Sequence, residues 1–358
     1  MMGWDYRPIL SGQRKDPLAM LLRCGCRIAS LGYGVAVNLR NRAYDRGSKP
    51  IHRCEVPVIS VGNLTTGGTG KTPIVCFLAK WLRERELRVA IISRGYGRGD
   101  ADANDEALEL HDRLPDVPHL QDADRIEAAR IAVEELESQV LLMDDGFQHR
   151  RLHRDLEIVV IDATCPFGYG YLLPRGLLRE PIEGLRRADL VILSRVDLVS
   201  EQELGAIEKS IRQVSAKIPI VQCRHLPWEL REYPDQSVPL ESLSGRAVAI
   251  VSAIGNPQAF EKTVAACGAR VVASQRLADH DAYEPETVNQ LRHWIESLGE
   301  SVEQVICTHK DLVKLRTDRL GGKPLRALLI DLNIVSGQSE LENSLRAIVN
   351  RSPATTPA

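Results

Sequence analysis

The chain lacks several features that would have fixed its class at once. It has eight cysteines, at 24, 26, 54, 76, 165, 223, 267 and 307, yet no Cys-x-x-Cys pair and no zinc-ligand spacing. The common structural-zinc and dithiol motifs are therefore excluded. Several of the thiols lie in apolar runs, as core cysteines do, and reduced thiols fit a cytoplasmic protein. No signal-peptide pattern is present, and no unbroken apolar run reaches the ~18 residues that cross a bilayer. The protein is expected to be soluble or to meet a membrane from one side. A formal net charge of −2 gives no overall pull toward nucleic acid, and no nucleic-acid partner is expected. No internal repeat organises the chain.

What is present fits an ordinary packed protein. With 358 residues and 44% hydrophobic content, two domains or one large α/β unit with an appendage are expected. Charge is uneven: residues 1–55 hold ten Lys/Arg against four acids. Within that basic segment, residues 17 to 46 have helical apolar spacing, with Asp16, Arg23, Arg27, Ser30, Gly34, Asn38 and Asn41 in one narrow polar sector. Periodicity leaves two readings open. One is an interfacial anchor on an anionic membrane; the other is an amphipathic helix packed on its own domain.

The most informative stretch is Val56 to Pro73. A β-type run, Val56 to Val61, feeds a loop, Thr65-Thr66-Gly67-Gly68-Thr69-Gly70-Lys71-Thr72, and helical spacing follows in Ile74, Phe77, Leu78, Trp81 and Leu82. Strand, glycine loop and helix in that order make the context of a P-loop. Backbone N–H groups and the helix N-terminus would cradle phosphates. Lys71 would reach the β/γ-phosphates and the Thr72 hydroxyl would hold Mg²⁺. Thr65 stands where the motif has its first glycine.

Strands then alternate with helices. β-type runs at Arg88–Ser93, Val140–Met143, Leu156–Ile161 and Asp189–Leu193 end in polar or glycine motifs. The fold class expected is α/β, a P-loop NTPase core with a mostly parallel sheet, a second smaller α/β domain and an N-terminal amphipathic helix. The expected boundaries are a membrane-associating region at 1–50, the kinase-like core at 51–220, and a C-terminal α/β part with its linker at 221–345. A disordered tail is expected at 346–358. The pattern loosens around 221–245, which reads as a linker or boundary.

Asp144-Asp145, at the end of the run through Met143, has the form of a Walker B end whose carboxylates meet Mg²⁺. Gln148 and His149 follow directly. Asp105 and His280 could form a carboxylate–imidazole base for an alcohol substrate if the fold brought them together. Arg94, Arg98, Arg175 and Arg179 sit in Gly/Pro-rich loops, suited to clamping phosphate. Ser194-Arg195-Val196-Asp197 imitates the guanine-reading element of GTPases, which supplies the rival class, a P-loop GTPase with a regulatory or metal-insertion role.

In order, the Thr65–Thr72 loop, Ser93-Arg94-Gly95-Tyr96-Gly97, Asp144-Asp145-Gly146-Phe147-Gln148-His149 and Leu172-Leu173-Pro174…Leu178-Arg179-Glu180-Pro181 resemble the tetraacyldisaccharide 4′-kinase family, the lipid A 4′-kinases. Asp279-His280 and Thr308-His309-Lys310-Asp311 are similar to later family elements, and the likeness spans roughly 15 to 335. The resemblance implies transfer of the ATP γ-phosphate to the 4′-hydroxyl of a tetraacylated glucosamine disaccharide 1-phosphate. It also implies Mg²⁺ and a peripheral location on the cytoplasmic face of the bacterial inner membrane, with the N-terminal helix as anchor. By this resemblance Asp105 is the catalytic base with His280 its partner, Lys71 and Thr72 serve phosphate and Mg²⁺, and Asp144 and Asp145 are metal-site carboxylates. Gln148 and His149 lie on the nucleotide side. Asn104 and Ala107 replace the glycine and proline that the family has around its catalytic Asp, and Arg175 replaces a small residue. A monomer is expected.

Overall fold

The structure is a computed structural model that describes residues 7–95, 105–279 and 281–350. In chain order its helices and strands are α1 (Arg7–Leu10), α2 (Pro17–Asp45), β1 (Val58–Asn63), α3 (Lys71–Arg83), β2 (Val89–Ser93), α4 (Asp105–Arg113), β3 (His119–Gln121), α5 (Arg125–Glu134), β4 (Val140–Asp144) and β5 (Leu156–Asp162). There follow β6 (Leu190–Ser194), α6 (Glu201–Val214), β7 (Ile220–Glu232), β8 (Gln236–Val238), β9 (Ala247–Ser252), α7 (Pro257–Ala266) and β10 (Arg270–Arg276). The chain closes with α8 (Pro285–Leu298), β11 (Gln304–Thr308), α9 (His309–Leu315), β12 (Arg319–Leu320), β13 (Lys323–Ser336) and α10 (Gln338–Val349).

Two compact units emerge. Of the described residues, the larger takes 7–95, 113–224 and 333–350; the smaller takes 105–112, 225–279 and 281–332. In the larger unit the strands run in the order β7-β6-β5-β1-β4-β2-β3, every paired neighbour parallel. β1, β2, β4, β5 and β6 are buried at every position. That explains their near-continuous Val/Ile/Leu sequences, since a parallel sheet covered on both faces has no polar side. One apolar layer joins the sheet to Ala128, Ala129 and Ala132 of α5, and another joins it to Ile207 and Ile211 of α6. β1 lies between β4 and β5, so its carboxyl end opens at the centre of the sheet, where ligands of such folds collect.

In the smaller unit β10-β9-β11-β13 are parallel, with α8 on one apolar face and α7 on the other. The stretch 221–245, expected as a linker or boundary, is largely the long strand β7 and its antiparallel partner β8. Its sequence hides this because Arg224, His225 and Pro227 break the alternation that marks a strand. Residues 346–349, expected as tail, close α10, which packs against β5 in the larger unit.

Helix α2 begins where Asp16 accepts the Ala19 N–H at 3.0 Å and Pro17 fills the first helical position. It runs about 43 Å. Ser30, Gly34 and Asn41 of its polar sector face the protein, while Arg27 and Asn38 are exposed. Ser30 Oγ donates to Leu172 O (2.9 Å) and Tyr33 Oη to Arg179 O (2.8 Å), while Asn41 Nδ2 donates to Glu180 Oε2 (3.2 Å). A Cβ on Gly34 would stand 2.9 Å from Leu172 Cδ1, so the close approach there favours glycine. The apolar sector faces outward: Leu18, Leu21, Ile28, Leu31, Val35 and Leu39 are 56–73% exposed. The helix is thus packed on its own unit by part of its thin polar stripe and leaves its broad apolar side uncovered. By length and composition it could also cross a membrane.

Candidate active site

The P-loop joins β1 to α3. Gly67 (φ 100°) and Gly70 (φ 81°) occupy the left-handed region, which residues with a Cβ enter only under strain. Gly70 is the N-cap of α3 and no side chain caps it, so the first-turn N–H groups and the dipole's positive end face the loop's interior. The loop is braced from outside. Asn63 Nδ2 donates to Thr69 Oγ1 (3.1 Å), Thr66 N–H to Leu177 O (2.8 Å) and Ser194 Oγ to Thr69 O (2.9 Å). Arg195, ion-paired with Asp162, donates to Gly68 O at 3.0 Å. Ser194 and Arg195 therefore hold the P-loop itself, and Asp197 beyond them is exposed. The likeness to a guanine-reading element is only a likeness of letters.

β4 delivers Asp144, 2% exposed, whose Oδ1 accepts the Asp145 N–H at 2.8 Å. Asp145, at φ 53°, turns its carboxylate between two cations: Lys71 Nζ lies 3.3 Å from Oδ1 and Arg179 Nη1 2.7 Å from Oδ2. Burial is the largest influence on this carboxyl and pushes its pKa up, but Lys71 and Arg179 together outweigh it and hold it below the usual carboxylate range. The turn after Asp145 sits hard against β1. A Cβ on Gly62 would stand 2.5 Å from both Cβ and N of Phe147, and one on Gly146 2.4 Å from Ser60 Oγ.

Gln148 locks this turn to the next motif. Its Nε2 donates to Asn63 O (2.9 Å) and Glu180 Oε1 (3.0 Å), and its Oε1 accepts from Arg179 at 3.3 Å. Glu180 is fully buried and also takes Arg187 (2.6 Å) and Asn41 of α2. His149 is half-buried with Nε2 unbonded. Burial foremost, then Arg125, Arg151 and Arg154, lower its pKa to about 4, so the ring is neutral at pH 7. Arg125, buried at the start of α5, is drawn to Asp145 and Asp144 and opposed by Arg94, which is exposed just past β2.

The larger unit thus brings Lys71, Thr72, Asp144, Asp145, Gln148, His149 and Arg179 around one loop. Asp105 opens α4 in the other unit; its side chain, and all of His280 and Arg98, lie outside the described residues. Arg175, considered as a phosphate clamp, instead donates to Leu10 O (2.7 Å) and stacks over Tyr171. Sequence reasoning passed over Asn63, Arg125, Asp162, Glu180 and Arg195 as site residues. Glu180 and Arg195 carried a signal, Glu180 beside Arg179 in a motif already singled out and Arg195 within the stretch that imitates a guanine-reading element.

Among the described residues no group of three His, Cys, Asp or Glu could hold a metal alone. Thr72 with Asp144 and Asp145 is a hard-oxygen set of the size Mg²⁺ uses when nucleotide phosphates complete its shell.

A model of the tetraacyldisaccharide-1-P 4′-kinase family, LpxK, matches residues 22–350. The chain belongs to this family. Curated relatives named tetraacyldisaccharide 4′-kinase include one from Anaeromyxobacter sp. (strain K), 38% identical over 97% of this chain and 96% of its own. Another, from Geobacter sulfurreducens, is 36% identical over 91% and 94%. Among solved structures, the "apo" form LpxK from Aquifex aeolicus in complex with ATP is 31% identical, with a TM-score of 0.70 over 91% of this chain and 99% of that one. Membership of this kinase family accords with the P-loop and its carboxylates, and with the α/β fold around them.

Proposed function

We propose that the protein transfers the γ-phosphate of ATP to the 4′-hydroxyl of a tetraacylated glucosamine disaccharide 1-phosphate, at the cytoplasmic face of the bacterial inner membrane. The observation that carries this reading is the clustering of Lys71, Asp144, Asp145 and Arg179 at the P-loop in a chain of the LpxK family. Thr65 to Thr72 would wrap the phosphates with backbone N–H groups. Lys71, paired with Asp145 in this structure, would offset charge that develops on the transferred phosphoryl. Arg179 and Arg94 are the clamp residues of this reading, with Gln148 fixing Arg179 and neutral His149 facing the nucleotide. Mg²⁺, if held by Thr72, Asp144 and Asp145, would supply Lewis-acid charge neutralisation on the phosphate oxygens. Asp105 takes the proton of the acceptor hydroxyl, and His280 orients and tunes it.

The outward apolar side of α2 supports seating on a lipid surface, which a lipid acceptor requires. Basic residues at both its ends, Arg14 and Lys15 before it and Arg46 and Lys49 after it, suit anionic headgroups. The test is incubation with labelled ATP and the tetraacyldisaccharide 1-phosphate. Labelled 4′-phosphate is expected from wild type and none from Lys71→Ala. Turnover retained in Lys71→Ala would overturn the assignment, as would GTP-selective binding without lipid phosphorylation.

A further inference from the structure

One motif is left unused by the chemistry above: Thr308-His309-Lys310-Asp311, at the junction of β11 and α9 in the smaller unit. Asp311 is fully buried, and its carboxylate is committed on both oxygens. Oδ2 accepts from Thr308 N–H (3.2 Å) and Thr308 Oγ1 (2.7 Å), and Oδ1 accepts from Ala253 N–H (3.2 Å) just past β9. Thr308 Oγ1 in turn accepts the Asp311 N–H, so the pair forms a capping box at the start of α9. A capping box needs no burial and no third strand. This one has both, which indicates a second role.

That role is visible in what the motif grips. Tyr283 is buried in the same apolar layer as Cys307 and Leu312, on either side of Asp311, and one turn further along α9 Lys314 Nζ donates to Asp281 O at 2.6 Å. Asp281 and Tyr283 form the turn that directly follows His280. Tyr283 is a bulky residue at φ 55°, a strained conformation that persists only where the surroundings over-determine it. The apolar layer around its ring and the Lys314 bond are those surroundings. On the other side, His309 Nε2 lies 2.8 Å from Asp112 Oδ2 in the last turn of α4, with Arg231 3.6 Å from the same oxygen. Position 112 is seven residues after Asp105. Seven residues are two helical turns, so the two positions lie about 10 Å apart on nearly the same face. Fixing the rotation of α4 at Asp112 therefore fixes it at Asp105.

We infer that Thr308-His309-Lys310-Asp311 is a positioning hub that holds both members of the proton-handling pair, α4 through His309–Asp112 and the turn after His280 through the packing around Tyr283 and through Lys314–Asp281. Asp112, His309, Asp311 and Lys314 are positioning residues that act through Asp105 and His280, and the inference rests on the roles given to those two under Proposed function.

Asp112 is exposed and Lys314 only partly buried, so Asp112→Ala and Lys314→Met test the hub without emptying the core. Each is expected to lower kcat about ten- to hundredfold, the size of effect a misplaced base produces, with the KM for ATP unchanged. Asp112→Asn, which keeps an acceptor for His309, restores most of the rate. In the Asp105→Asn background Asp112→Ala causes no further loss, and in His280→Ala neither does Lys314→Met. Wild-type kcat in Asp112→Ala and Lys314→Met, or losses that multiply fully in both backgrounds, would overturn the hub. Full activity of Asp105→Asn and His280→Ala themselves would instead bring down the reading on which it rests.

Discussion

Replacing Ile28 and Leu31 together by serine separates a lipid-seated α2 from a merely exposed one. These side chains are 73% and 69% exposed, so most of their apolar surface contributes nothing to the folded protein and is available to a bilayer. Full burial of a Leu or Ile side chain is worth about 1.5–3 kcal/mol. Roughly seven-tenths of that is on offer here, about 1–2 kcal/mol per residue and about 2–4 for the pair. The double variant should bind vesicles of zwitterionic and anionic phospholipid roughly 30- to 700-fold more weakly. Its melting temperature and its ATP affinity should not change, because neither residue touches the core or the P-loop. Co-flotation with vesicles gives the first quantity, and scanning calorimetry and ATP titration the others. Unchanged flotation would refute the membrane reading of this face. A marked drop in melting temperature would show that the face is packed rather than free.

Further outcomes follow from the site. Asp105→Asn should cut turnover by about 10²–10⁴-fold, the usual weight of a general base, read in the labelled-ATP assay. Gly62→Ala should destabilise by about 1–3 kcal/mol, because its Cβ meets Phe147 backbone that cannot swing away; urea unfolding measures it, and activity should fall with it. Asp162→Ala leaves Arg195 buried without its counter-ion and should cost about 3–5 kcal/mol, whereas Asp162→Leu with Arg195→Met should recover much of the loss. His149 has a folded-state pKa lowered to about 4. The unfolded chain therefore binds the extra proton first, so this contribution to stability is complete above about pH 6.5 and is lost as pH falls toward 4. His149→Gln should flatten that part of the urea-midpoint curve.

Much of the fold was legible because its strands are short, fully buried and parallel. Apolar content alone gives the runs Val56–Val61 and Asp189–Leu193, within two residues of the strands Val58–Asn63 and Leu190–Ser194, and the P-loop letters select their own strand–loop–helix context. β7 was not legible, since Arg224, His225 and Pro227 remove the periodic signal on which such reading depends.

The sequence by itself determined that a nucleotide-binding loop, a pair of carboxylates and a basic N-terminal helix occur in one α/β chain, because each is a local pattern of adjacent residues. Which groups meet across the sheet was settled only in three dimensions. Asp145 stands between Lys71 and Arg179, residues 74 earlier and 34 later in the chain. Arg195 serves the P-loop rather than a base. Part of the polar stripe of α2 turns inward, leaving its leucines outside. None of these is written in spacing, because burial and ion pairing act between segments that only the folded sheet brings within a few ångströms of each other.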